Sequence, residues 1–289
     1  MDISLQAMVQ RQRQASRRRK PKPRQLKPAR PSRAVELRYK RHLLDLSARY
    51  ADATSAKLLP LLQQYEPQYR KVKGDAALAD VTSGAVYMAI ERMITMIAQQ
   101  TTSNLAWEAE AIAAQMVSGT NDQTTETLQK SIQSAYGIDI TQVLRGQNIG
   151  PTLQLAQKAN VNLIKSIPAQ YFDKLNTIVL TGVQQGSTYS DIEGQIQDLS
   201  GVTDSRAKLI ARDQTAKTNA AITQTRQEDL GIKSYRWVTA GDERVRETHA
   251  ANDGEIFDWD DPPAETGHPG TEINCRCIAA GIVGDYEGD

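Results

Sequence analysis

The sequence predicts a mainly α protein, an extended helical N-terminal region followed by a small α+β C-terminal module. Three observations carry that expectation. Aromatic residues make up only 5% of the 289 positions and hydrophobic residues 39%, and the many Ala, Gln, Thr and Leu residues favour helices over a β-sandwich. Apolar residues recur at helical spacing from about Ala34 to Leu230. Beyond Gly231 the texture changes to short β-like runs separated by stretches rich in Asp, Pro and Gly.

Residues 1–33 combine Arg17-Arg18-Arg19-Lys20 with prolines at 21, 23, 28 and 31. Like charges repel and proline removes backbone donors, so a flexible basic arm is expected there. Helical periodicity starts near Ala34 and passes through Leu43, Leu44, Leu46 and Leu61 to about Tyr65, with Pro60 as a kink and Pro67 as a stop. A second stretch from Asp75 to about Val117 places Val81, Val86, Ile90, Ile94, Ile97 and Leu105 on one stripe, with a break at Gly119, Asn121 and Asp122. Helices are next expected over Thr120–Tyr136, ending at Gly137, and over Ile138–Leu144, ending at Gly146.

Gly150-Pro151 opens a further helix, and Ser166-Ile167-Pro168 places a cap and a proline at the start of the next, which closes near Gly186. Ser190 or Asp191 caps a short helix to Leu199, and Thr203 or Asp204 a longer one that Gly231 closes. Tyr235–Thr239 and Cys277–Val283 read as strands. The chain divides accordingly into an arm (1–33), a helical region (34–150) and a C-terminal module (151–289).

Charge is unevenly spread. Fourteen of the 35 Lys and Arg residues lie between Arg11 and Arg41, with only Glu36 against them, which leaves the rest of the chain acidic. Arg11, Arg13, Arg17, Arg18, Arg19, Lys20, Lys22, Arg24, Lys27 and Arg30 can follow a phosphate backbone and release its counterions. An acidic protein surface is the alternative target. No aromatic precedes Tyr39, so base stacking is not expected of the arm.

No cleavable signal is visible, and the most apolar stretch, Gly84–Ala98, contains Glu91 and Arg92 and is too short to cross a bilayer. Cys275 and Cys277 are separated by one residue, a spacing that strains a disulfide and fits a reducing compartment.

The informative residues lie between Leu209 and Cys277. Leu209, Asp213, Ala216 and Ala220 share a helical face, and Asp213 interrupts its apolar character. A carboxylate there needs a partner, for which Arg244 and Arg246 are candidates. His249, His268, Cys275 and Cys277 suit a tetrahedral structural zinc in a module with little core of its own. Packed reduced cysteines with surface histidines, or a strained disulfide, explain the same residues without a metal.

No catalytic residue is assigned. A zinc deaminase needs a Glu two residues after its His and a Cys-x-x-Cys pair, whereas His249 precedes Ala250-Ala251 and His268 precedes Pro269-Gly270. Asp242, His249 and Asp253 leave room for a metal-dependent nuclease, although acidic residues in turn-rich loops are ordinary. No phosphate-cradling loop or nucleophile elbow is present.

In order, the chain shows Ala211-Arg212-Asp213-Gln214-Thr215, then Trp237, then Asp242-x-Arg244-x-Arg246-x-x-His249, then Asp253-Gly254, and finally Asn274-Cys275-Arg276-Cys277. This series resembles the phage Mu protein F-like, or head-morphogenesis, family over roughly Val161–Val283. It departs from the family pattern in having Gln214 where Glu is common, and a proline at 269 rather than immediately before Asn274. The resemblance implies a minor capsid protein of a tailed phage, without catalysis, located in the virion head and in the host cytoplasm during assembly. It further implies association with the portal and with scaffold or major capsid protein, contact with packaged double-stranded DNA, no membrane anchor, and in some members passage into the host with the genome. Within it Asp213, Trp237, Asp242, Arg244 and Arg246 take structural positions. A virion-delivered, metal-dependent enzyme acting on DNA, or a free-standing nucleic-acid-binding protein, are the competing expectations.

Overall fold

The structure, a computed structural model, describes Leu5, Met8, Val9 and residues 24–71 and 76–284, with side chains of 71 and 76–83 excluded. Its described elements are strand β1 (Arg24–Gln25), helices α1 (Arg33–Lys71), α2 (Ala76–Thr102), α3 (Leu105–Tyr136), α4 (Thr141–Gly146), α5 (Gly150–Gln185) and α6 (Tyr189–Asp229), strand β2 (Ser234–Val238), helix α7 (Glu247–Ala251), and strands β3 (Ile256–Asp258) and β4 (Ile278–Val283). The protein is therefore mainly α with a small antiparallel sheet near its C-terminal end, as composition and periodicity predict.

The chain forms two compact units. One comprises residues 1–37, 114–158 and 212–289, and the other comprises 38–113 and 159–211. The long helices α1, α3, α5 and α6 each contribute residues to both.

Several interruptions expected from Pro and Gly are absent. Helix α1 continues through Pro60 and Pro67. Proline forfeits one backbone bond and crowds the preceding turn, but the buried Leu58, Leu59, Leu62 and Tyr69 around both sites supply packing that holds the helix together. Helix α5 runs through Pro168, itself buried with Ile164, Ile167, Tyr171 and Phe172. Helix α3 runs through Gly119, where a Cβ would lie 3.1 Å from Val35 Cγ2. Glycine there permits close approach rather than a turn.

The break falls instead at Ser103-Asn104, after Thr101 and Thr102 turn their hydroxyls onto the carbonyls of Ile97 and Ala98. The predicted stripe is buried at Val86, Ile90, Ile94, Ile97 and Leu105, while Val81 lies outside the described side chains. Helix α6 is continuous where two helices are expected. It starts at Thr188, whose Oγ1 accepts the Asp191 amide at 3.1 Å while Asp191 Oδ2 accepts the Thr188 amide at 3.3 Å, a reciprocal cap. Glycine termini are found where expected, with positive φ at Gly137, Gly186 and Gly231.

In the second unit, Tyr50, Tyr171 and Phe172 form an aromatic cluster with ring centroids 5.1–6.1 Å apart. Two buried hydroxyls there find partners, Tyr39 on Asn160 Oδ1 at 2.9 Å and Tyr171 on Thr54 Oγ1 at 3.0 Å.

In the first unit the sheet order is β1-β4-β2-β3, with every neighbouring pair antiparallel. Two apolar clusters pack on it. One joins Leu5, Val9 and Leu26 to Leu128, Ile132, Ile140, Leu144, Leu230, Ile232 and Val283, and the other joins Tyr235, Trp237, Trp259, Cys275, Cys277 and Ala279.

The N-terminal segment is thus fixed in part, where a flexible arm through Arg33 was expected. Arg24 and Gln25 pair with Val283 and Ile282. Leu26 and Ala29 are buried, and the Asn219 side-chain amide donates to the Ala29 carbonyl at 2.8 Å. Burial of small apolar residues and sheet pairing outweigh the charge and proline content here. Among the described residues no helix is long and apolar enough to cross a membrane.

Candidate functional site

Strands β2 and β4 bring the motif residues to one end of helix α6. Tyr235 and Trp237 alternate with exposed or half-buried neighbours along β2 and are fully buried, as the two-residue period of a strand requires. Trp237 meets the His249 ring edge-on at 5.5 Å. His249 sits on the single turn of α7 and is buried.

The loop before β4 is fastened to α6 by a turn at Asn274, whose φ of 60° lies in the left-handed region that Asn tolerates. Its backbone amide donates to Asp213 Oδ1 at 2.8 Å, and the Arg212 guanidinium donates to its side-chain oxygen. Asp213 is buried and bonds Lys217 Nζ at 3.0 Å and Gln214 Nε2 at 3.0 Å through its other oxygen. Its partners are therefore the docked loop and its own helix rather than Arg244 or Arg246. Those arginines lie on the outer side of the loop, where their turn places them. Arg244 contributes its amide to Asp242 Oδ1 at 3.1 Å, and Arg246 reaches Glu272 Oε2 at 2.6 Å and the Ile273 carbonyl at 2.8 Å. Leu209 is exposed, so the face covered by the loop begins at Asp213. Gly270 completes the contact, since a Cβ there would fall 2.7 Å from Ala220 Cβ.

Three of the four predicted metal ligands converge. His249 Nδ1 lies 3.5 Å from Cys275 Sγ and 3.4 Å from Cys277 Sγ, and among the described residues these three form a group whose donor atoms lie within 4.8 Å of one another. His249 Nε2 bonds Glu272 Oε2 at 3.0 Å. A carboxylate can only accept, so in the neutral ring the proton sits on Nε2 and the Nδ1 lone pair faces the sulfurs. Both cysteines are free thiols. The thiol hydrogen bond from Cys277 lowers the pKa of Cys275, with help from the Cys277 and Gly270 amides. The same sharing, with burial, pushes Cys277 up.

His268, the fourth expected ligand, stands apart. Its Nδ1 bonds the Tyr235 hydroxyl at 3.0 Å, its ring lies against Trp259 at 5.0 Å, and burial lowers its pKa. It lines a cleft of about 260 Å³ together with Lys217, Ala220, Trp259 and Gly270. Residue type alone groups it with the other ligands, but Tyr235 and Trp259 hold it on a different side of the loop.

The acidic residues considered for a nuclease are also dispersed. Asp242 forms a two-point ion pair with Arg276, which with the Arg244 amide holds its carboxyl at about 2. Asp253 Oδ1 accepts the Thr239 amide at 2.8 Å.

Of the basic residues, Arg11, Arg13, Arg17, Arg18, Arg19, Lys20 and Lys22 lie outside the described residues. Arg24 donates to the Ala135 carbonyl and stacks over the Tyr136 ring, 5.8 Å from its centroid. Its guanidinium is thus engaged within the protein. Lys27 and Arg30 are exposed, held by their backbones to Ser131 and Gln123.

Glu272, Asn274 and Gly270 are site residues to which sequence reasoning assigns no role, although Asn274 belongs to the closing motif. Asn274 carried a usable signal, an Asn directly before two buried cysteines, because Asn is among the few residues that enter the left-handed region.

This ordered constellation has a counterpart in known proteins. Residues 173–280 match the family described as Phage Mu protein F like protein. Over this span the chain is similar to that family. The matched span contains Asp213, Trp237, His249, Asn274 and both cysteines. An uncharacterized protein of Haemophilus influenzae is 34% identical over 269 residues, which is 93% of this chain and 58% of that protein. The chain thus spans little more than half of that relative's length. The NAD(+)--arginine ADP-ribosyltransferase EFV of Enterococcus faecalis is 28% identical over 119 residues, which is 36% of this chain and 24% of that protein. No solved structure matches significantly.

Proposed function

We propose that this chain is a minor head protein of a tailed phage that associates with the portal during head assembly and touches packaged DNA through its N-terminal basic run. The observation that carries the reading is the docked Mu protein F-like domain, in which the motif residues are spent on holding a loop to helix α6. Asp242, His249 and Asp253 each serve a different partner, which favours a structural adapter over a metal-dependent enzyme acting on DNA. On this reading the long helices supply the surfaces that bury against portal, scaffold or major capsid protein, and the protein resides in the virion head after assembly in the host cytoplasm.

The test is composition. Quantitative mass spectrometry of purified procapsids and heads should find the chain at low copy, and affinity-tagged chain should co-purify with the portal ring. Absence from both particles would overturn the proposal.

The DNA contact has its own test, designed around the fold. Leu5 and Val9 belong to the core, so truncation confounds charge with packing. Replacing Arg17, Arg18, Arg19 and Lys20 by Gln removes charge alone. The slope of log K against log salt should fall by up to about 3.6, at roughly 0.9 per lost phosphate contact. An unchanged slope would remove DNA from the proposal and leave the portal association standing.

A further inference from the structure

The His249, Cys275 and Cys277 donors surround a common point. In tetrahedral zinc, with bonds of about 2.3 Å to sulfur and about 2.0 Å to nitrogen, neighbouring sulfur and nitrogen ligands are separated by roughly 3.6 Å. The observed separations from His249 Nδ1 are 3.5 Å and 3.4 Å, so the pocket already has the ligand spacing of such a site. All three residues are buried.

The surroundings fit a thiolate-bound cation more closely than they fit a plain core. The Gly270 amide donates to Cys275 Sγ at 3.3 Å, an arrangement that steadies a charged sulfur. The Trp237 indole nitrogen is buried without a nitrogen or oxygen acceptor and stands beside the same sulfur pair. Glu272 fixes the His249 ring from behind through Nε2, and Arg246 fixes Glu272 in turn. A carboxylate behind a histidine is the arrangement that orients the ring and raises its basicity toward a metal. A purely apolar pocket has no use for this chain of polar contacts.

We propose that His249, Cys275 and Cys277 bind one zinc ion, with Glu272 orienting His249 and water in the fourth position. His268 takes no part. The ion ties α7 to the segment entering β4 and so acts as a structural staple. Two sulfurs and one nitrogen select zinc over magnesium or calcium, which require oxygen.

The test uses the full chain purified under reducing, chelator-free conditions. Elemental analysis should give one zinc per chain. Cobalt(II) added to the chelated protein should produce a thiolate charge-transfer band together with the visible bands of a tetrahedral ion. Cys275→Ser, Cys277→Ser and His249→Ala should each abolish both signals, whereas His268→Gln should retain them. Because the three loss variants could also misfold, the native chain provides a second measurement. Chelation should release zinc, lower the melting temperature and expose both thiols to alkylation, and added zinc should reverse all three. Native protein that lacks zinc and takes up neither zinc nor cobalt would overturn the proposal. So would retention of the ion by both cysteine variants, or its loss in His268→Gln.

Discussion

Docking of the C-terminal loop on helix α6 makes Gly270 the most exacting position in the module. Two costs combine in Gly270→Ala. The backbone sits at φ +88°, where a side chain costs about 1–2 kcal/mol. The new methyl would also lie 2.7 Å from Ala220 Cβ, which the α6 backbone holds in place, and forced overpacking of this kind costs typically about 1–3 kcal/mol. The expected destabilisation is therefore about 2–5 kcal/mol. Gly254→Ala is the control, since its φ of +84° is nearly the same and nothing lies within 4 Å of its Cβ position. It should cost only the backbone share, about 1–2 kcal/mol. Urea unfolding followed by tryptophan fluorescence reports on the correct unit if Trp107, which is 76% exposed, is first replaced by Phe. Trp237 and Trp259 then remain, both within the module. Equal losses in the two alanine variants would show that the loop at Gly270 does not rest on Ala220, and the docked arrangement would be wrong.

Asp213→Ala should destabilise the same unit by about 1–3 kcal/mol by leaving the Asn274 amide without its acceptor, and hydrogen exchange at Asn274 should accelerate; unchanged protection there would contradict the assigned bond. The Asp242 carboxyl, held low mainly by Arg276, should titrate near 2 by carbon-detected NMR and return toward the ordinary value of about 3.9 in Arg276→Gln. Because its folded pKa is depressed, the stabilisation it provides is complete above the unfolded pKa and is lost as pH falls through about 2, and added salt should weaken it. Tyr39→Phe removes the hydroxyl bonded to Asn160 and should cost about 0.5–1.5 kcal/mol, measured by chemical denaturation.

The helical ends that sequence reading locates are those where a glycine takes a left-handed φ, at 137, 186 and 231. The ends it misplaces are sites where Pro or Gly has a packing role. Pro67 and Pro168 lie within helices whose neighbouring apolar residues are buried, and local propensity carries no information about tertiary support of that kind. Strand β1 is hidden for a related reason. Two polar residues next to a basic run show no alternation, and only pairing with Ile282 and Val283 makes them a strand. At the site, the sequence supplies Trp237, His249, Cys275 and Cys277 as residue types, but the exclusion of His268 depends on Tyr235 and Trp259, which lie 33 and 9 positions earlier in the chain.

The Cys-x-Cys spacing, unusual for a zinc site when judged as a motif, becomes intelligible from backbone geometry. Burial alternates along the segment entering β4, with residues 275 and 277 buried and 276 exposed, the pattern of a chain whose alternate side chains face opposite ways. Cys275 and Cys277 are buried toward His249, while Arg276 between them is exposed and pairs with Asp242. A Cys-x-x-Cys pair at this place would turn one sulfur outward and lose either the His249 contact or the Asp242 ion pair. One three-residue stretch thus fastens two different loops, through sulfur on its inner side and through charge on its outer side. The two attachments should be separable. Arg276→Gln should release only the Asp242 turn and leave the His249 cluster intact, whereas inserting a glycine after Arg276 should disrupt both.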